Sequence, residues 1–169
     1  QYDADDPQSL RYLNILCVRL VFCLYAEDAG IFGKRDMFHD FLAHYQTEDM
    51  RMALVQLFEV LNTPADKRSK YLNPSLAAFP YTNGGLFAED IDIPQFTDEL
   101  RDTLLQHASL DFDWSEISPT IFGGVFESTL NPETRRSGGM HYTSIENIHK
   151  VIDPLFYNDL RTAFEDCLE

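Results

Sequence analysis

Apolar side chains recur at three- and four-residue intervals along most of the chain, the spacing of one face of an α-helix. The first such segment runs from Leu10 to Ala29, after an acidic, proline-containing entry, and Gly30 follows as a stop signal. It is apolar on more than one face, so we expect a central helix. Residues 36–45 and 48–61 predict two further amphipathic helices.

The second half of the chain continues this helical pattern. Residues 97–107 predict a helix, and Ser118 followed by Pro119 is typical of a helix start. Residues 146–152 and 155–167 predict the last two helices, separated at Pro154. Asn83-Gly84-Gly85 favours a short hairpin or a left-handed turn. The sequence therefore predicts a mainly α fold, an irregular bundle of about eight helices with at most one short β-hairpin. The strand–helix alternation of doubly wound folds is missing.

Charged residues inside the first helix constrain how that helix can pack. Arg19 and Glu27 need partners if they are buried. Glu27 and Asp28 are adjacent, and neighbouring residues on a helix point apart, so we do not expect them to act as a catalytic carboxylate pair.

Composition narrows the classes of function. Apolar residues make up 44% of the chain and aromatic residues 13%, which disfavours disorder. Thirteen Lys and Arg against 28 Asp and Glu give a net charge of −15, a field that repels DNA phosphates. We therefore expect little direct DNA contact by this segment. Small basic spots remain at Lys67-Arg68-Lys70 and Arg135-Arg136, which we interpret as solvated loop charges.

The cysteines and the apolar segments indicate the cellular compartment and whether a membrane is involved. Cys17, Cys23 and Cys167 form no Cys-x-x-Cys pair, and their odd number favours a reducing, cytoplasmic setting. The start of the sequence does not resemble a signal peptide. The apolar run from Leu13 to Tyr25 is shorter than the ~20 residues of a membrane span, so we expect a core helix and no membrane partner.

A glycine hinge near the end of the chain carries the candidate chemistry. Gly138-Gly139 lets the backbone approach a ligand closely, and His141, Tyr142, Thr143 and Ser144 follow at a helix start. Considered alone, this stretch fits a ligand-contacting loop and also an ordinary loop-to-helix junction.

Residues 139–144, Gly-Met-His-Tyr-Thr-Ser, resemble the Gly-x-x-Tyr-Thr-Pro element of N6-adenine DNA methyltransferases. Three ordered blocks, residues 79–87, 113–123 and 138–156, together with residues 20–32, resemble the MmeI-type enzymes, which combine restriction and modification in one polypeptide. Ser144 stands where the general element has proline, and Met140 where these enzymes more usually carry a small residue.

The resemblance implies an adenine-specific DNA methyltransferase as the parent protein, with S-adenosyl-L-methionine as cofactor. It implies cofactor contacts by Tyr142 and Thr143, together with His141 and Ser144, in the full-length protein only. Residues 1–134 would form a helical spacer and residues 135–169 the start of the methyltransferase domain. The partners implied are the methyltransferase and the nuclease or target-recognition domains of the same polypeptide, with DNA bound through the parent protein.

The catalytic parts themselves are missing from the sequence. We find no [Asn/Asp/Ser]-Pro-Pro-[Tyr/Phe] loop for a flipped adenine, no zinc-ligand cluster and no acidic-x-Lys nuclease pattern. Only 25 residues follow Ser144, fewer than the roughly 30 of one βαβ unit. We therefore predict no catalytic and no metal-binding residue, and an inactive fragment. The alternative is a freestanding helical module for protein–protein interaction.

Overall fold

A computed structural model describes residues 6–82, 85–123 and 145–167. The helices are α1 (Pro7–Asp28), α2 (Met37–Ala43), α3 (Met50–Asn62), α4 (Pro74–Ala77), α5 (Asp98–Asp102), α6 (Ile145–Ile152) and α7 (Asn158–Asp166). No β-strand occurs within these described ranges, so the mainly α prediction is confirmed. The chain divides into two compact units, Gln1–Ile117 and Ser118–Glu169, which are described separately below.

Helix α1 begins three residues before the predicted Leu10, because its first turn is capped. The side chain of Asp6 accepts hydrogen bonds from the backbone N–H groups of Gln8 and Ser9, and Pro7 occupies the first helical position. The helix ends where Gly30 adopts a left-handed conformation with φ of 72°. Both end signals were readable in the sequence.

The core of the first unit lies where α3 packs among α1, α2 and the irregular segments. Leu54, Leu57 and Leu61 on one face of α3 are fully buried. Aromatic rings surround this face in edge-to-face pairs, with centroid distances of 5.2 Å for Phe32–Phe79 and 5.6 Å for Phe41–Phe79. The large number of phenylalanines thus serves the packing of helices joined by long loops.

Helix α1 is the one described helix long and apolar enough, by length and composition, to cross a membrane. The helix has 22 residues and is longer than the apolar run Leu13–Tyr25. The prediction that this segment is too short for a membrane span was therefore wrong. Its apolar residues have another explanation, because Leu16, Cys23, Leu24 and Ala26 lie buried in the core. A core helix meets the same criterion of length and composition.

A π-helical segment extends α5. The helix starts at a Thr97 side-chain cap and runs directly into a π-helical segment, Thr103–Leu110, which buries Leu104 and Leu105. The predicted turn at residues 83–85 falls partly outside the described residues. Gly85, which is described, has φ of 77°, as a left-handed turn requires.

In the second unit, residues 119–123 are helical, as Ser118 and Pro119 predict. The two helices predicted around Asp153-Pro154 are present as α6 and α7, but a π-helical turn, Asp153–Tyr157, joins them without a break. Such a turn accommodates a proline, which lacks the N–H that an α-helix interior requires. His149 supports this turn, with its Nδ1 2.8 Å from Oδ1 of Asp153.

Candidate functional site

The predicted cofactor motif lies outside the described residues. His141, Tyr142, Thr143 and Ser144 all belong to the part of the chain between residues 123 and 145, as do Arg135 and Arg136. Helix α6 begins at Ile145, immediately after the serine that we predict as its N-cap. Cofactor contact by these four residues therefore stays a prediction.

Among the described residues of the first unit, Glu27 is the most deeply buried carboxylate, with 2% of its surface exposed. Its Oε2 accepts hydrogen bonds from the backbone N–H groups of Phe38, at 2.9 Å, and His39, at 3.0 Å. Its Oε1 accepts from the hydroxyl of Ser109 at 3.1 Å. The first two donors belong to the first turn of α2, whose own N-cap residue, Asp36, makes no side-chain cap. Glu27 of α1 thus caps α2 from a distant part of the chain.

Burial raises the pKa of the Glu27 carboxyl, and the hydrogen bonds from His39, Ser109 and Phe38 partly oppose that rise. Burial likewise raises the pKa of Asp28, against a hydrogen bond that its Oδ2 accepts from the Trp114 N–H at 2.7 Å. The two carboxylates point to different elements, as expected for adjacent helical residues. Their positions explain them as structural groups at the end of α1.

Arg19 is also buried, and its partners are main-chain carbonyls and aromatic rings. Its Nε donates to the carbonyl of Leu86 at 2.9 Å and a terminal nitrogen donates to the carbonyl of Glu89 at 2.6 Å. The guanidinium lies 5.3 Å from the ring centroid of Phe58 and 5.5 Å from that of Phe87. The requirement that Arg19 and Glu27 have partners is therefore met.

Arg68 closes the C-terminal end of α3. Its guanidinium donates to the carbonyls of Val60 and Thr63 at 2.9 Å, and to those of Phe79 at 2.7 Å and Ala77 at 3.2 Å. The carbonyl of Val60 also accepts from the Thr63 N–H at 3.1 Å, so the guanidinium adds a second bond there and ties the end of α3 to the backbone of residues 77–79. The middle residue of the Lys67-Arg68-Lys70 spot is thus a structural clamp rather than a solvated loop charge.

The block of residues 79–87 contributes to the same cap. Thr82 donates from its backbone N–H, at 2.9 Å, and its hydroxyl, at 3.0 Å, to the carbonyl of Leu61. Phe79 and Phe87 at its ends are buried in the core. The described part of this family-like block therefore serves the fold.

Two further arginines bind irregular backbone in the same way. Arg51 donates to the carbonyl of Ile93 at 2.6 Å, and Arg101 donates to that of Tyr45 at 3.1 Å. Sequence reasoning missed these roles. The one signal for such a role was that the chain has few basic residues and long loops. No nearby residue in the sequence indicates which carbonyls each arginine binds.

A cleft of about 590 Å3 lies beside α2 in the first unit. Its wall includes the apolar side chains of Phe32, Met37 and Phe41 and the polar side chains of Asp40 and His44. Among the described residues, no group of three or more His, Cys, Asp or Glu side chains is arranged to hold a metal ion. We assign no reaction to this cleft.

The first unit is, by its architecture, a helical module in which arginines and one buried carboxylate fix the loops. Residues 11–87 match the family model described as "MmeI, helicase spacer domain". The resemblance to MmeI-type enzymes is confirmed.

Two similar proteins extend the match over nearly the whole chain. DNA methyltransferase A of Bacillus subtilis (strain 168) is 39% identical over 94% of the chain, and the match spans 18% of that protein. The solved structure of the Type IIL restriction-modification enzyme MmeI in complex with DNA is 45% identical over 92% of the chain, with a TM-score of 0.60, and the match covers 21% of it. The chain thus spans about a fifth of the length of these relatives.

Proposed function

We propose that this chain is the helical spacer of an MmeI-like restriction-modification enzyme, together with the start of its N6-adenine methyltransferase domain. The observation that carries the proposal is the extent of the match. More than nine-tenths of the chain aligns with a DNA methyltransferase and with MmeI, yet the match fills only about a fifth of either protein. Reaction chemistry would then reside in the remainder of the polypeptide.

The second unit supports this proposal by its surface. The side chains of Val151, Leu155, Leu160 and Phe164 are each more than half exposed. Helical segments with this much exposed apolar surface are normally covered by another structure. The occupant we propose is the methyltransferase domain of the same polypeptide, because the relatives continue well beyond the aligned fifth.

We assign residues 1–134 to the spacer and residues 135–169 to the methyltransferase domain, with their boundary outside the described residues. Tyr142 and Thr143, with His141 and Ser144, would contact the amino acid end of S-adenosyl-L-methionine. The hydroxyl groups of Tyr142 and Thr143 are suited to hydrogen-bond its ammonium or carboxylate. Within the described residues, the buried Glu27 and the half-buried Asp28 already serve as helix and loop partners, so we assign them no part in methyl transfer.

The test compares the product of the complete gene with the 169-residue chain. The complete product should transfer labelled methyl groups from S-adenosyl-L-methionine to adenine in duplex DNA, and the chain alone should transfer none. In the complete product, Thr143→Ala should weaken cofactor binding by about 1 kcal/mol, the value of one hydrogen bond, with the melting temperature unchanged. Unchanged cofactor affinity with a lower melting temperature would assign Thr143 to packing instead.

A methyl-transfer-inactive gene product that ends directly after Glu169 would contradict the proposal. It would favour the freestanding interaction module, for which the exposed apolar surface of the second unit would be the binding face.

A further inference from the structure

The loop that joins α3 to α4 carries an unusual surface. Tyr71 is 97% exposed, the highest value among the described large apolar and aromatic residues. Lys67 and Lys70, on the same loop, are also exposed. Neither lysine side chain forms a hydrogen bond or ion pair with any described residue, although the Lys67 backbone N–H donates to the carbonyl of Pro64 at 2.9 Å. We call Lys67, Lys70 and Tyr71 the basic loop tip.

The basic loop tip differs from every other cationic position in the described part of the first unit. Carboxylate partners are present for Arg11, Lys34, Arg35, Arg51 and Arg101, and main-chain carbonyls bind Arg19 and Arg68. In a chain with a net charge of −15, two lysines without such partners form the one place where this unit offers free positive charge, within the described residues. Asp66 lies next to Lys67 in the sequence and offsets only part of the positive charge of the two lysines.

Local bonds hold the backbone of this loop in place. Arg68, between the two lysines, is fixed by four carbonyls. The Ser69 hydroxyl accepts a hydrogen bond from the Tyr71 N–H at 3.2 Å, and the Leu72 N–H donates to the Ser69 carbonyl at 3.2 Å. Leu72 then packs against the core. A loop fixed in this way loses little conformational entropy when it binds a partner.

We propose that the basic loop tip contacts the phosphate backbone of DNA. Lysine ammonium groups bind phosphates as mobile point charges, and a tyrosine hydroxyl can donate to a phosphate oxygen. Such contacts position a protein on DNA without reading its sequence. The proposal rests on the proposed function, in which the chain works within a DNA-modifying enzyme, and it limits DNA contact by the acidic first unit to a single spot.

A residue-resolved titration tests the location of the contact. The 15N-labelled chain is titrated at low ionic strength with a short DNA duplex of mixed sequence, and with polyglutamate as an acidic polymer without phosphates. Amide signals of residues 66–72 should shift on addition of DNA, and the shifts should vanish at physiological salt. Shifts confined to other residues, or no shift at low ionic strength, would overturn the proposal. Equal shifts with polyglutamate would overturn it in favour of an acidic protein partner.

Charge-matched variants test whether the two lysines are responsible for DNA binding. Lys67→Ala with Lys70→Ala should weaken binding of the duplex several-fold and reduce the slope of log affinity against log salt by about 1.8, as expected for two lost phosphate contacts. The control, Lys34→Ala with Arg35→Ala, removes the same charge from exposed positions and should leave both quantities nearly unchanged. Equal losses in the two double variants would show a general charge effect and contradict the proposal. Failure here would leave the methyl-transfer test of the complete gene product unaffected.

Discussion

Replacement of Glu27 by alanine should destabilise the first unit strongly, although Glu27 takes part in no proposed chemistry. The substitution removes the acceptor of two backbone N–H groups in the first turn of α2 and of the Ser109 hydroxyl. A buried donor left without a partner costs about 1–3 kcal/mol, and the Phe38 N–H is buried. The His39 N–H is partly buried and can regain water. We therefore expect a loss of about 3 kcal/mol in the free energy of unfolding.

Glu27→Gln separates the hydrogen bonds from the charge. An amide oxygen can still accept from both N–H groups, and the amide nitrogen can donate to the Ser109 oxygen. We expect a loss of less than about 1 kcal/mol at neutral pH, because the neutral side chain avoids the cost of a buried charge. Glu59→Gln is the matched control, since Glu59 is an exposed carboxylate on α3.

The pH dependence has a defined sign. Burial raises the pKa of Glu27 above its ordinary value of 4.5, so the native state holds this proton more tightly than the unfolded state does. The stability contributed by the protonated carboxyl is present below that ordinary value and is lost as the pH rises through the raised native pKa. The advantage of wild type over Glu27→Gln should therefore shrink as the pH rises across this interval.

Urea unfolding, followed by the fluorescence of the single tryptophan, measures these differences. Trp114 suits the purpose, because its backbone N–H bonds Asp28 at the end of α1. If Glu27→Ala lost no more than about 0.5 kcal/mol, as exposed substitutions do, the capping role of Glu27 would be refuted. An advantage over Glu27→Gln that grew with pH would refute the account of its pKa.

Two further predictions concern other parts of the first unit and its cysteines. Arg68→Ala should lower the free energy of unfolding by about 2–4 kcal/mol, since four main-chain carbonyls lose the bonds that its guanidinium donates, whereas Lys67→Ala should change it by less than about 0.5 kcal/mol in the same urea assay. Equal effects of the two substitutions would contradict the role of Arg68 as a structural clamp. In a thiol-labelling assay of the folded chain, Cys23 should react much more slowly than Cys17 and Cys167, because Cys23 is fully buried and burial raises its pKa well above the ordinary value. Fast labelling of all three thiols would contradict the packing of α1.

Local signals in the sequence predicted some elements well. Asp6 and Pro7 mark the start of α1, and Gly30 marks its end, because these signals act within one helical turn. The cap of α2 could not be predicted in this way, since Glu27 lies eleven residues from Phe38 and 82 from Ser109. The carbonyl partners of Arg68 likewise depend on how the chain returns to α3.

The sequence also predicted that buried charges would need partners, without indicating which partners. The charge of −15 predicts little DNA binding by the whole surface, but it gives no sign of the difference between Arg68 and its lysine neighbours. That difference depends on which side chains reach a carbonyl. Residues 141–144 were selected by the glycine hinge before them and by the resemblance, and they lie outside the described residues.

The size of the native polypeptide tests the central claim most directly. An antibody raised against the 169-residue chain, used on an immunoblot of the source cells, measures that size without any assumption about activity. The account predicts a band several times larger than the 19.5 kDa of this chain, because the matched relatives extend far beyond the aligned segment. A single band at about the mass of the chain, together with a stop codon directly after Glu169, would contradict it.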